Sequence, residues 1–322
     1  MKSTIVIPNY NGIQYIENCL NSLKTESANI IVVDNASSDG SYELIGEKFP
    51  EVETVRFKNN TGFCKAVNKG IELADTEYVI FLNNDTVVEQ GFVKELERIM
   101  DKDDKIFSAS AKMISMHEPD KIDDAGDLYC ALGWAFAIGK GKPEKEYNKC
   151  YSIFAACGGA AIYRRSILDK IGLLDENHFA YLEDIDLGYR AQINGYRSVF
   201  APKARVYHAG SAASGSRYNA FKADLTAKNS IYIIYKNMPF LQIILNLPFL
   251  LIGFSVKTLF FIKKGLGGVY VKGLIKGFKL SVSAEGRQHK IRYQKANFSS
   301  YCRIQLLLWA NVIKRFIYKP FI

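Results

Sequence analysis

The sequence predicts an α/β domain followed by a basic, helical C-terminal region. Three observations carry that prediction: short apolar runs alternating with amphipathic segments, polar residues closing those runs, and charge segregated along the chain. With 322 residues, 48% hydrophobic and 23% charged, the chain is too apolar to be disordered and long enough for one large core with an appendage. Its six cysteines form no CxxC pair, which disfavours a zinc ribbon or a disulfide framework and suits a reducing compartment. The apolar run after Met1 is too short for a signal h-region, so a cytosolic setting is expected.

The elements follow in order. Ser3–Ile7 is a β-branched run ending at Pro8, and Ile13–Leu23 has helical spacing. Ile30–Val33 is an apolar strand of the kind a parallel sheet buries on both faces, closed by the turn-forming cluster from Asp34 to Gly40. Helix over 41–48, strand over 54–57, helix over 63–74 and a buried strand over 78–82 complete the alternation, which implies parallel strands with right-handed crossovers. Polar residues follow three strands, at Pro8–Asn11, at Asp34–Asn35 and at Asn83–Asp85. Ligands of such sheets bind beyond the carboxyl ends of the strands, so these residues should meet at one crevice that takes a nucleotide-type ligand. Neither GxGxxG nor GxxxxGK[ST] occurs, which removes the main support for a dinucleotide or P-loop site.

The net charge of +9 hides a division. Residues 1–226 carry 26 basic and 32 acidic side chains, whereas residues 227–322 carry 16 basic side chains and a single acid, Glu285. The basic region also holds a long apolar stretch, 240–262, interrupted by Gln242, Asn246, Pro248 and Lys257, and a second amphipathic stretch over 301–322. A nucleic-acid arm has no reason to carry so much aliphatic surface. Spanning takes about 20 mostly apolar residues, but the polar interruptions favour helices lying in the interface of an anionic membrane. The other reading packs both stretches on the catalytic core or on a second copy of the chain, so a homo-oligomer stays open. The domains are therefore drawn as 1–226 and 227–322.

Six motifs in order now resemble a known family. They are Ile5–Gly12, Val32–Ser41, Asn60–Phe63 with Asn68–Gly70, Leu82–Thr86, Cys157–Arg165 and Tyr181–Arg190, continued by Val206–Ser211. Together they resemble family 2 glycosyltransferases of the GT-A fold, closest to the bacterial rhamnosyltransferase-like branch, over roughly residues 3–215. The resemblance implies a Rossmann-like mixed sheet flanked by helices. It also implies inverting transfer from a dTDP- or UDP-linked sugar, with L-rhamnose from dTDP-rhamnose the best guess.

Residue by residue, the resemblance assigns roles. Asp34 would accept the N3–H of uracil or thymine, although a turn or capping role is open to it. Pro8, Asn9, Asn11, Asn60, Gly62 and Asn68 would line the nucleotide. Asn83-Asn84-Asp85 stands where relatives carry an acidic-x-acidic motif, so one carboxylate is missing. Asp85 and His208 would hold Mn²⁺ or Mg²⁺, whose charge offsets that developing on the leaving diphosphate. Asp184 matches the base that takes the acceptor proton, with Glu183 orienting it; acids at a helix start also satisfy the dipole. Asp186 reads as an ordinary first-turn acid. Arg190 would face the diphosphate or form a surface salt bridge. Gly158 and Gly159 would make room for the acceptor, and Trp134 and Tyr181 could stack on its ring. The tail implies a lipid-linked glycan acceptor and a peripheral or monotopic enzyme at the cytoplasmic face of the membrane.

Overall fold

The computed structural model describes residues 1–210 and 218–318; Ser211 and residues 319–322, which close two of the stretches above, lie outside them. The amino-terminal half begins with β1 (Ser3–Asn9), α1 (Ile16–Leu23), β2 (Asn29–Asp34), α2 (Ser41–Lys48), β3 (Glu53–Arg56), α3 (Phe63–Leu73) and β4 (Tyr78–Leu82). These agree with the sequence pattern to within three residues at each end. Short β5 (Thr86–Val88) and α4 (Phe92–Met100) then lead to β6 (Ile106–Ser115), β7 (Ile122–Asp124), β8 (Asp127–Cys130) and β9 (Trp134–Ala137). Next come β10 (Ser152–Ile153), β11 (Ala160–Arg164), α5 (Arg165–Ile171), α6 (Glu183–Ile193) and β12 (Arg197–His208).

The sheet runs β10-β12-β6-β11-β4-β1-β2-β3, with β5 joined to β12 and β7 to β6. The strands β3, β2, β1 and β4 are parallel, as the alternation requires. The all-parallel reading fails at β11, which inserts antiparallel between β4 and β6. Its entry makes the sheet mixed, as the family resemblance implies. No helix separates β9, β10 and β11 apart from a single 3₁₀ turn, so nothing enforces a right-handed crossover there.

The C-terminal region consists of α7 (Ala220–Asn237), α8 (Phe240–Lys263), α9 (Gly267–Val282), α10 (Ala284–Gln288) and α11 (Phe298–Tyr318). The boundary drawn at 226/227 is corrected here, because it cuts α7 in the middle. That helix is integral to the catalytic domain. Asn237 and Lys236 reach Asp186 on α6, Lys236 and Tyr232 reach Asp175, and Arg190 pairs with Asp186 four residues along its own helix. All of these side chains are buried. Gly273 and Gly277 let α9 lie against α7 so closely that a Cβ on either would meet a backbone oxygen, of Asp224 or Lys228, at 2.6 or 2.5 Å.

The polar interruptions of 240–262 have a clear place. Gln242, Asn246, Leu250 and Gly253 form the buried stripe of α8. Tyr189 donates to Gln242 Oε1 at 2.6 Å, and Asn246 exchanges two hydrogen bonds with Gln305 on α11, each 2.8 Å. The opposite face, including Phe240, Leu241, Leu251, Ile252, Leu259 and Ile262, is exposed. By length and composition α8 could cross a membrane, but one side of it belongs to the domain.

Removing one partner of a buried ion pair strands the other charge at a cost of about 3–5 kcal/mol. Lys236→Met, which removes the lysine shared by Asp175 and Asp186 and leaves Asp186 to Arg190, should lower the stability measured by chemical denaturation by about that amount. A loss below about 1 kcal/mol, the range of exposed pairs, would show that the network does not hold the fold together.

Candidate active site

The carboxyl ends of β1, β2 and β4 open on one crevice of about 550 Å³. Pro8, Asn9, Asn35, Asn60, Gly62, Asn83, Asn84 and Asp85 line it. Gly158, Gly159, Tyr181, Glu183 and Asp184 line it as well, with His208 beside Asp85, and so do Asp123, Asp124, Asp127 and Lys140, which sequence reasoning did not single out.

The donor side is cross-braced. Asn9 donates to Asp34 Oδ1 at 2.9 Å and accepts from Asn84 Nδ2 at 2.7 Å, locking the ends of three strands together. Asn60 caps the turn by accepting from the Gly62 amide at 3.0 Å. Gly62 has φ +90° and sits so close to Phe179 that a Cβ would lie 2.6 Å from the Phe179 carbonyl oxygen. No other residue type fits that approach.

Several expected contacts are not made. Asp34 is fully buried and does not line the crevice; its Oδ1 accepts from Asn9, and its Oδ2 accepts from the Ser37 amide at 3.0 Å and lies 3.5 Å from Arg56. Its neighbour Asn35 does line the crevice, although its side-chain amide is engaged by Gly62 and Thr61. Asn11 has φ 50° and accepts from the Ser38 amide, shaping the turn next to a separate small cavity. Asn68 clamps Leu174, donating to its carbonyl at 2.8 Å and accepting from its amide at 3.0 Å. Arg190 sits two turns, about 10.5 Å, up the helix from Glu183. Its guanidinium is spent on Asp186 and on the carbonyls of Ile171, Gly172 and Leu173. Asp186 is correspondingly no first-turn surface acid; burial opposes its charge, but Lys236 and then Arg190 hold its carboxyl far below the usual range. Trp134 is also absent from the crevice. Its indole N–H donates to the Gly253 carbonyl at 3.1 Å, facing α8.

At the end of β4 and β12, Asp85 and His208 meet. Nε2 of His208 lies 3.2 Å from Asp85 Oδ1, and its Nδ1 lies 2.7 Å from Asp123 Oδ2. Asp123 is in turn bonded to Lys140 at 2.5 Å. A carboxylate on one ring nitrogen that orients the other toward a second carboxylate is the arrangement of metal-binding histidines. One nitrogen and one carboxylate oxygen suit Mn²⁺ better than Mg²⁺, so the donor set fits the expected cation. Asp124, Asp127 and Cys157 offer a second group of ligand atoms, all within 4.8 Å of one another.

The acidic pair stands at the N-terminus of α6, after a backbone that only other contacts could hold. Phe179, Tyr181 and Leu182 all have positive φ, from 64° to 70°. Such conformations persist only where neighbours over-determine them. Asn229 on α7 does so, donating to the carbonyls of His178, Ala180 and Tyr181 at 2.7–3.0 Å. Burial pushes Asp184 upward, while the amides of Ile185 and Gly158 and a hydrogen bond from Asp127 hold it back. Asp127 is driven well above the usual carboxylate range by burial and by the charges of Asp124 and Asp184. Asp127 and Asp184 are both pushed toward the protonated form, and a hydrogen bond between them raises Asp127 and lowers Asp184. Glu183 is raised to about 8, first by burial and then by Asp184, and its Oε2 has no hydrogen-bond partner among the described residues.

The fold and the crevice together define a nucleotide-sugar glycosyltransferase of the GT-A type. A family model for Glycosyl transferase family 2 matches residues 4–172, and the chain belongs to that family. It is 26% identical over 213 residues to the N-acetylglucosaminyl-diphospho-decaprenol L-rhamnosyltransferase of Mycobacterium tuberculosis, covering 58% of this chain and 68% of that one. The poly-beta-1,6-N-acetyl-D-glucosamine synthase of Staphylococcus aureus is 26% identical over 210 residues, 63% of this chain and 49% of its own length. Among solved structures, the Pyrobaculum calidifontis mannosyltransferase PcManGT with GDP-Man and Mn²⁺ superposes with TM-score 0.52 at 16% identity, covering 98% of this chain and 87% of that one. S. aureus TarS 1–349 with UDP-GlcNAc gives 0.54 at 17% identity, covering 96% and 84%.

Glu183 sets a pH dependence. With its carboxyl raised from 4.5 to about 8, the folded protein binds more protons than the unfolded chain in that interval, so stability from this group is full below 4.5 and lost as pH rises through 8. Thermal melting of the substrate-free protein should fall across that window, and Glu183→Gln should flatten the fall. An unchanged slope in the variant would place the proton elsewhere.

Proposed function

We propose that the chain is an inverting, metal-dependent transferase that moves L-rhamnose from dTDP-rhamnose to a polyprenyl-diphosphate-linked glycan at the cytoplasmic face of the membrane. The observation that carries this reading is that one crevice is lined both by Asp184 on the α6 N-terminus and by the adjacent Asp85 and His208 that follow β4 and end β12. Asp184 takes the proton of the attacking acceptor hydroxyl. Its carboxylate is held by the amides of Gly158 and Ile185 and by a hydrogen bond with Asp127. Glu183 beside it orients the acceptor, and Gly158 and Gly159 keep the floor low enough for a sugar ring. Asn35, Pro8 and Asn9 bound the pocket for a pyrimidine base. Asp85 and His208 would hold the divalent cation, which offsets the charge that builds on the departing diphosphate. With Asp184 as the single base and Asp85 reserved for the cation, the roles correspond to a single displacement, hence inversion.

The rhamnosyl donor is supported by the name of the mycobacterial relative, and the lipid-linked acceptor by that name together with the apolar face of α8. Lys263, Lys264, Lys272 and Lys279 border the exposed apolar residues of α8 and α9, the pattern of helices lying on an anionic surface.

The reading is tested by calorimetry on the full-length protein with dTDP-rhamnose, UDP-glucose, UDP-GlcNAc and GDP-mannose, with and without Mn²⁺. dTDP-rhamnose should bind most tightly and only with the metal, and Asp85→Asn should abolish that binding. Asp184→Asn should bind the donor normally yet transfer about 10²–10⁴-fold more slowly. Preference for a different sugar nucleotide overturns the donor; normal transfer by Asp184→Asn overturns the base. In a second arm, the protein should sediment with anionic vesicles, and Leu251→Asp with Ile252→Asp should release it.

A further inference from the structure

A second cavity, of about 840 Å³, lies beside the crevice and shares Asp123, Ala135, Phe136 and Lys140 with it as a common wall. Its far side is made by Val256, Lys257, Phe260 and Phe261 of α8 and by Arg315 of α11. Five cationic side chains line it, against two carboxylates, Glu118 and Asp123. Both carboxylates are already engaged, Glu118 by Lys121 and Asp123 by Lys140 and His208. The lining therefore has more cationic than acidic side chains, and two of the five cations, Lys257 and Arg315, come from α8 and α11.

Lys257 and Arg315 are the informative pair. Both stand 5.8 Å from the ring centre of Trp134, whose indole is pinned to the α8 backbone at Gly253. Burial, and then the like charge of Arg315, push the Lys257 ammonium down to about 8. Two cations this near one ring repel each other, and an anion bound in the cavity that both line offsets that repulsion. Beyond them the lining turns aromatic, with Phe260 and Phe261, and α8 continues into exposed Leu259 and Ile262. A path from Asp184 outward therefore meets, in order, a polar crevice, a cationic cavity and an apolar helix face. That is the order of sugar, diphosphate and lipid in a polyprenyl-diphosphate glycan.

We propose that the second cavity binds the diphosphate of the lipid-linked acceptor, with Lys257 and Arg315 as its principal cations and Lys142 at its rim. The proposal rests on the lipid-linked acceptor of the preceding section, but it concerns residues outside the donor and base sites. It also gives Trp134, expected to stack on an acceptor sugar, a different role as the platform under the two cations.

Short prenyl probes test it on the full-length protein without requiring transfer. Farnesyl diphosphate should bind more tightly than farnesol, and Lys257→Met and Arg315→Gln should each weaken it at least about tenfold, as expected for lost charge-assisted contacts to phosphate. Lys257→Arg should restore binding, which separates lost charge from lost packing. Hydrolysis of the sugar nucleotide in the absence of acceptor should be unchanged in all three variants. Inorganic pyrophosphate, run in parallel, separates the headgroup alone from the prenylated ligand: its binding should fall in the same variants and be weaker overall. Asp85→Asn should leave farnesyl diphosphate binding intact, so a failed donor assignment does not disturb this result. The proposal is overturned if wild type does not discriminate farnesyl diphosphate from farnesol. It is equally overturned if Lys257→Met and Arg315→Gln bind as wild type does, or if only Asp85→Asn loses binding.

Discussion

Lys236 stands between two buried carboxylates, 2.8 Å from Asp175 and 2.9 Å from Asp186, and the geometry of the active site depends on that contact. Asp186 lies two residues after Asp184 on α6, so fixing Asp186 fixes the first turn that presents the base. Asp175 opens the loop that runs through the positive-φ residues before Glu183. Asn229, two turns earlier on the same helix as Lys236, holds that loop by three carbonyls. One helix therefore supplies the counter-charge under Glu183 and Asp184, the proposed catalytic pair, and the clamp on their strained approach. Desolvating the charges of Lys236, Asp175, Asp186 and Arg190 is costly and is offset by their mutual pairing. Asn237 and Tyr232 add hydrogen bonds to the two carboxylates.

That arrangement changes the meaning of the C-terminal region. A +15 segment with long apolar runs reads as an attachment to a separately folded catalytic domain. In the structure its first helix is part of the catalytic apparatus, and its second buries a polar stripe on the domain while keeping an apolar face outward. The proposed catalytic residues and the exposed apolar face of α8 are thereby joined through packed helices, α6 on α7, α7 on α9 and α9 on α8. The cationic cavity between crevice and α8 lies on the same line.

The sequence showed the strands of the nucleotide half well, because apolar runs closed by polar residues leave little choice of element. It was less able to resolve which residue at a strand end faces the ligand. Asp34 and Asn35 differ by one position, yet of the two only Asn35 lines the crevice. Arg190 and Asn68 carry chemistry-bearing side chains on helices, and their direction is settled by partners distant in sequence: the 171–173 carbonyls for Arg190 and Leu174 for Asn68. Asp123, Asp124 and Asp127 were missed because they sit on short strands with no periodic signal; the close spacing of three acids around Gly126 was the available clue. Asn229 and Lys236 were hidden for another reason. Composition assigned their surroundings to a membrane, and a buried counter-ion is invisible to composition.

The central claim is that Asp85 and His208 at the ends of β4 and β12 mark where the donor diphosphate is held, in the crevice that Asp184 also lines. Anomalous diffraction from crystals of the full-length protein grown with dTDP and Mn²⁺ tests it most directly. The expected result is a manganese peak bonded to Asp85 and to Nε2 of His208, with the pyrimidine beside Asn35. A peak at Asp124, Asp127 and Cys157 instead, with His208 still paired to Asp85, would contradict it.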